Sequence, residues 1–321
     1  MVVKRIIFPI FVSMDTRQKD RRDYKALPKG VYHLCTDGWK GGKLFHSRDQ
    51  YVFGMATMAL VATMFDIGIY AFVLMPNHIH LLIHASGETC MDVFNFIKRR
   101  TSSQLKQDGY TPLPENYWMK LKPIPDKKAM AREILYIARN AYEKDYCIPC
   151  AYPWSSCYLL FSQLAPYIRG QKVKDIPTIR LRELLGSAKK LPESWEIHPE
   201  LGVLPINYVK TNAIKPLFGS AKNFMTRLVK EYETFVHISK ELGEELEFSK
   251  NECEDIVYSK ASTLFPGKLL KDLAHEEKGR LAVELERQYN FSMETIANCL
   301  RMNERTVRQF IVSKDYGYRK Q

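Results

Sequence analysis

Apolar and polar positions along the chain fall into runs whose period predicts their elements. Gly30–Cys35 is a β-prone run, followed by a glycine-rich turn holding Asp37-Gly38 and Gly41-Gly42. Tyr51–Phe65 is rich in Met and Ala and predicts a helix over about 48–65. Asp66-Ile-Gly68 breaks it, and two strand-like runs follow, Ile69–Leu74 and His78–His84, with an antiparallel turn at Pro76-Asn77. Residues 90–107 read as a basic helix with Phe94 and Ile97 at i and i+3, and Thr111–Pro125 reads as a proline-punctuated basic loop. A helix over 127–143 gathers Met130, Ile134, Ile137, Ala138 and Ala141 on one stripe. Strands alternating with helices in this order predict an α+β domain. Further on, Pro177–Leu185 and Ser220–Leu242 read as helical, and a compact helical pattern returns from about residue 264.

These patterns divide the chain into four parts: an N-terminal basic arm (1–28), an α+β domain (29–165), a partly helical connecting region (166–263) and an all-α domain (264–321). Tyr51–Pro76 carries only one charged residue, Asp66, and has the length of a membrane span. Its helix, turn and strand pattern predicts a soluble protein instead, with no membrane partner. No cleavable leader is visible, and seven cysteines, an odd number, suit a reducing cytoplasm. Cys147-Ile-Pro-Cys150 is a lone CxxC, and a structural zinc site would need a second ligand pair that does not follow.

Charge changes the picture more than composition does. The formal net charge of +12 is concentrated: residues 1–50 hold 11 basic and 5 acidic residues, and residues 97–132 hold 9 and 3. Concentrated positive charge favours an anionic partner, nucleic acid first. Lys98, Arg99, Arg100, Lys120 and Lys122 are the candidate DNA-binding cations, interleaved with Tyr110, Tyr117 and Trp118. Cations can follow a phosphate backbone while aromatic rings stack on exposed bases, a combination suited to single strands and hairpins.

The candidate chemistry lies in Met75-Pro-Asn-His78-Ile-His80-Leu-Leu-Ile-His84. On a strand, residues two apart share a face, so His78, His80, Leu82 and His84 point one way and Ile79, Leu81 and Ile83 point to the core. Two imidazoles one pleat apart can chelate a divalent cation. On the 127–143 helix, Tyr136 and Asn140 stand at i and i+4, away from the apolar stripe, beside each other. Glu133 shares that polar side as a rival ligand, and Tyr142 and Tyr146 are rival nucleophiles that lack an amide at i+4.

Ala71-Phe-Val-Leu-Met-Pro-Asn-His-Ile-His-Leu-Leu-Ile resembles the HUH signature of single-tyrosine transposases, in particular the REP-associated tyrosine transposases. Tyr32-His33-Leu34-Cys35-Thr36-Asp37-Gly38, Lys43-Leu-Phe45, Tyr136-Ile137-Ala-Arg-Asn140 and Tyr152-Pro-Trp-Ser-Ser156 match in the family's order. The likeness covers about residues 30–160. It departs at Ala138 and Ala141, where many relatives carry His and Pro; neither position faces the proposed metal.

The resemblance implies a ferredoxin-like HUH domain with an antiparallel sheet. It implies His78, His80 and Asn140 as ligands of Mg²⁺ or Mn²⁺, and Tyr136 as a nucleophile that cleaves and rejoins single-stranded or hairpin DNA through a 5′-phosphotyrosine link. It also implies a homodimer. A tyrosine hydroxyl, with a pKa near 10, needs activation to attack at neutral pH. Two rival readings are a DNA-binding regulator that keeps the fold without cutting, and a metal-dependent hydrolase that uses water.

Near the C-terminus, Ser292–Ile311 reads as helix, turn, helix, with Ser292 and Asn303 as N-caps. Ile296, Ala297, Leu300, Met302, Val307 and Phe310 supply its core. Arg305, Thr306, Arg308 and Gln309 on the second helix are candidate DNA contacts. Arg301 stands where such turns favour glycine, at a cost on the order of 1 kcal/mol for a positive φ.

Overall fold

The computed structural model describes residues 21–38, 40–65, 67–143, 151–162, 165–244, 246 and 248–318, leaving out the side chains of 142–143 and 314–318. The N-terminal arm up to residue 20, the Tyr142 side chain, Tyr146 and the Cys147–Cys150 pair lie outside the described residues. The chain forms two compact units that part between Ala221 and Lys222. The region 166–263, expected as a connection, is therefore shared out between them.

In the first unit the order is β1 (Gly30–Thr36), α1 (Arg48–Met64), β2 (Gly68–Leu74), β3 (Ile79–Ala85), α2 (Gly87–Gln107) and β4 (Met119–Ile124). The sheet runs β2-β3-β1-β4 with every pairing antiparallel. That is the ferredoxin-like split β-α-β arrangement. Ser47 caps α1 by accepting from the Gln50 amide, and Ser86 caps α2 by accepting from that of Thr89. Gly54 lets α1 lie close to the sheet, because a Cβ there would stand 2.8 Å from Leu74 and Phe45. Among the described residues no helix is long and apolar enough to cross a membrane.

Strand β4 corrects the loop expected over Thr111–Pro125. Its alternation was present in Met119-Lys-Leu-Lys, with Met119 and Leu121 buried and Lys120 exposed. Pro123 within it argued against a strand, but β4 is an edge strand, where proline is tolerated. The opposite edge, β2, is closed by Tyr152–Ser156. Ser156 exchanges hydrogen bonds with the Phe72 backbone, the Leu74 amide donates to the Trp154 carbonyl, and the Tyr152 hydroxyl donates to the Leu74 carbonyl.

The strands also differ from a half-exposed pattern. Ile79, Leu81 and Ile83 are buried as expected, and His80 and Leu82 are equally buried. Helix α3 (Lys127–Glu143) covers the histidine-bearing face, so β3 is enclosed on both sides. A second, small antiparallel sheet of β5 (Gln171–Lys172), β6 (Glu196–His198) and β7 (Gly202–Val203), with α4 (Thr178–Leu185) between its first two strands, completes this unit.

Among its described residues the second unit is all-helical: α5 (Ala221–Leu228), α6 (Tyr232–Leu242), α7 (Lys250–Leu264), α8 (His275–Tyr289), α9 (Met293–Leu300) and α10 (Glu304–Tyr318). The single helix expected over Ser220–Leu242 is two, interrupted at 229–231. Val257, Leu281, Ala282, Leu285, Ile296, Leu300 and Val307 form the apolar centre, with Met302 packed partly buried against it. Ser292 caps α9, a three-residue turn of Arg301, Met302 and Asn303 follows, and the Asn303 side chain accepts from the Arg305 amide. Arg301 adopts φ 51°, the positive value its position in the turn demanded.

Candidate active site

The HUH strand, the first strand and α3 meet on the face of the sheet that α3 covers. In the β1–β3 register Cys35 stands opposite His80 and His33 opposite Leu82, so His33 lies one pleat from His80 on the same face. From α3, Glu133, Tyr136 and Asn140 follow at i, i+3 and i+7 and point down onto these strands. The polar side of α3 is therefore an internal face. Tyr136 is 3% exposed, and its ring meets those of His80 and His33 edge-on, with centroids 5.6 and 6.2 Å away.

His78 and Asn140 come together. The Asn140 amide nitrogen donates to the Tyr136 carbonyl, which turns its oxygen toward His78 Nε2 at 3.0 Å. On the other side of the ring, the Asn77 amide donates to the Gly38 carbonyl and offers its oxygen to His78 Nδ1 at 2.8 Å. An amide oxygen only accepts, so both ring nitrogens of His78 face an acceptor. Gly38 lies so close that a Cβ would stand 3.4 Å from Nδ1.

Imidazole nitrogen and amide oxygen suit a divalent cation without choosing which one. Neighbouring ligands around a six-coordinate ion with bonds of about 2.1 Å stand about 3 Å apart, which is the separation of His78 Nε2 and Asn140 Oδ1. The His78 and His80 rings are 4.8 Å apart and perpendicular. His78 Nε2 and Asn140 Oδ1, with the His80 ring beside that of His78, could offer ligands to such an ion. Glu133, the rival ligand, is engaged elsewhere: its carboxylate accepts from His33 Nδ1 and Lys122 Nζ, each at 2.6 Å. Burial pushes this carboxyl up, but the hydrogen bonds and charge of His33 and Lys122 outweigh it and hold the group below the usual carboxylate range.

His33 is the site residue that the sequence reading passed over. It is 0% exposed, bridging Glu133 through Nδ1 and His80 Nδ1 through Nε2 at 3.0 Å. A third histidine at an inward position of a β-prone run was the available signal, though its partner lies 100 residues away.

The cations expected along DNA separate into two kinds. Arg99 and Lys120 are exposed. Arg100 is packed inward: its guanidinium stacks on Phe53 and donates to Thr57 and to the Leu185 and Gly186 carbonyls, and burial lowers its pKa to about 10. Lys122 is held by Glu133, and Lys98 donates to the Glu115 and Tyr117 carbonyls. Of the interleaved aromatics, Tyr117 is core beside Phe94, Trp118 packs on Phe94 under Arg21, and Tyr110 is exposed, stacked on His46. In the second unit Arg305, Arg308 and Gln309 are exposed on α10, with Thr306 half-buried.

Residues 45–121 match the family described as Transposase IS200 like. This segment runs from the end of the glycine turn into β4 and contains His78 and His80, but neither His33 nor Tyr136 and Asn140. The likeness to transposases read in the HUH signature is thereby met by a family match over the same strands. A solved structure of a REP-associated tyrosine transposase bound to a REP hairpin is 14% identical, over 52% of this chain and 93% of that one, with a TM-score of 0.34. No curated protein sequence matches.

Proposed function

We propose that this protein cleaves and rejoins single-stranded or hairpin DNA as a transposase-type strand transferase, with Tyr136 as nucleophile. The observation that carries this reading is the convergence of His78, His80, Tyr136 and Asn140 on one enclosed face of the sheet. The transposase family match over 45–121 supports it.

His78, His80 and Asn140 would hold Mg²⁺ or Mn²⁺, which when bound supplies positive charge to the scissile phosphate and offsets the charge gathering on its oxygens. The Tyr136 hydroxyl oxygen attacks phosphorus and loses its proton. The bond from phosphorus to the 3′ oxygen breaks, and that oxygen takes up a proton. The product is a 5′-phosphotyrosine and a free 3′-hydroxyl, and because the phosphoester count is unchanged, attack by a 3′-hydroxyl reverses the step without ATP. The edge-on His33 and His80 rings keep the phenol in a single orientation, a positioning contribution. Exposed Arg99 and Lys120 in the first unit, and Arg305, Arg308 and Gln309 with half-buried Thr306 in the second, would hold the DNA.

The test is incubation of the whole protein with labelled hairpin DNA from repeats flanking its own gene, in Mn²⁺, followed by a denaturing gel. A slower protein–DNA band that vanishes in Tyr136→Phe and in His78→Ala is the expected result. Cleavage that survives Tyr136→Phe without any such band would replace this reading with a hydrolase using water. Binding without cleavage would replace it with a regulator.

A further inference from the structure

We infer, resting on the reading of this chain as a DNA-processing protein, that a groove between α7 and α9 of the second unit seats a single DNA strand. It lies in the same unit as the surface proposed on α10, and none of the residues of the cleavage site takes part.

The groove encloses about 1080 Å³, slightly above the roughly 300–1,000 Å³ of small-molecule pockets. Its buried lining is apolar, with Val257 and Ala261 from α7 and Leu300 from α9. Around it stand five cations, Lys250, Lys268, Lys271, Lys278 and Arg301, against one carboxylate, Glu254. Lys268 is paired with Glu277, and Lys278 donates to the Leu300 carbonyl. Lys250, Lys271 and Arg301 are exposed, in a position to meet an anion.

Charge alone would suit any polyanion, and the uncharged lining narrows the choice. Tyr258 in the wall of the groove is 58% exposed. A single strand offers unstacked base faces to such a ring, whereas a duplex keeps its bases stacked on one another. Asn298, exposed on α9, adds an amide that can both donate to and accept from a base edge. An acidic peptide would also answer the charge, but the place of Arg301 favours DNA. Arg301 ends α9 and begins the turn into α10, which presents Arg305 and Arg308 to solvent. A strand leaving a duplex on α10 would pass this turn to reach the groove.

The groove also gives a use to an arginine that the fold alone does not explain. Arg301 holds φ 51°, a left-handed conformation that glycine adopts freely and arginine does not. Strain of this kind persists at sites where function draws on it. Here it keeps a guanidinium in the wall of the groove.

Fluorescence anisotropy on the whole chain, in EDTA to prevent cleavage, compares one labelled hairpin with and without a thymidine tail of about 12 nucleotides. The wild type is expected to bind the tailed hairpin about 10- to 100-fold more tightly than the blunt one. Tyr258→Ala should lower the tailed affinity about fivefold or more. Lys271→Gln and Arg301→Gly should each weaken it several-fold and reduce the salt slope by about 0.7, the value for one contact to a single strand. Affinity for the blunt hairpin should stay unchanged in all three. Arg301→Gly should in addition melt higher than the wild type while binding the tail less well, a combination that structural damage would not produce.

Equal affinity of the wild type for both hairpins, or an equal loss on both in these variants, would overturn the inference and leave the α10 surface standing. Unchanged tail binding in the variants, with a labelled polyglutamate peptide bound by the wild type and lost by Arg301→Gly, would overturn it in favour of an acidic protein partner. A wild type that binds neither hairpin would overturn the DNA reading, and this inference with it.

Discussion

The two units place their polar residues in opposite ways. In the first unit, the groups at and around the proposed site are inside: His33 and His80 beneath α3, and Glu133 and Tyr136 on its inner side, are all buried, each engaged with another. In the second unit the core cluster is almost wholly apolar, and the groups proposed to touch DNA lie on the outward side of α10. The difference has an energetic consequence. Where site residues satisfy one another in the interior, removing one leaves its partner buried without a counterpart. Where they sit on an apolar scaffold, function and stability can be changed separately.

The largest effect expected from that contrast is for Glu133→Leu. It removes the carboxylate to which His33 and the half-buried Lys122 donate, and should cost about 3 kcal/mol in urea unfolding. Because the folded carboxyl lies below its ordinary value of 4.5, the stabilisation is present above that value and disappears as pH falls through the lowered one. The gap between wild type and variant should accordingly close in acid. A gap that persists unchanged at low pH would mean the cost comes from packing alone.

Next is Gly279→Ala in α8, where a Cβ would stand 2.4 Å from the Phe310 ring. Overpacking of this kind costs roughly 1–3 kcal/mol, and thermal unfolding should show it. No change would indicate that Phe310 swings aside freely.

A smaller effect of opposite sign is expected for Arg301→Gly. Relief of the left-handed conformation at φ 51° should raise stability by about 1 kcal/mol. A loss instead would show that the Arg301 side chain contributes more than its backbone costs.

The smallest effect on stability belongs to Arg305→Ala and Arg308→Ala, within about 0.5 kcal/mol of wild type. These variants should nevertheless weaken DNA binding, and each should reduce the salt dependence by about one phosphate contact. Normal binding by both would remove α10 from the DNA-contacting surface, and a large loss of stability would erase the contrast between the units.

Much of the local structure was legible in the residues. The strand placement of His80, the 3.6-residue stripe of α3 and the caps at Ser292 and Asn303 each depend on neighbours within a few positions and appear in the structure, while His78 stands just before β3 rather than on it. Strand β4 was hidden by Pro123 and the prolines around it, although Met119 and Leu121 kept the alternation. Lys122 and Arg100 looked like surface cations because a sequence shows charge but not the acceptor that answers it. Each in fact meets partners brought in by the fold, Glu133 for one and the Leu185 and Gly186 carbonyls for the other.

What the sequence by itself determined was most elements of the first unit, the histidines two apart at the start of one strand, and Tyr136 beside Asn140 on one helix side. The reason is that strand and helix geometry repeat over a few residues, so such placements follow from spacing alone. What only the tertiary structure decided was that α3 closes over the histidine face, that His33 stands one pleat from His80, and that Glu133 turns to His33 and Lys122 rather than to His78 and Asn140. Those depend on strand register and helix docking between residues 11 to 100 positions apart. Local pattern does not encode which distant acceptor a buried donor will meet.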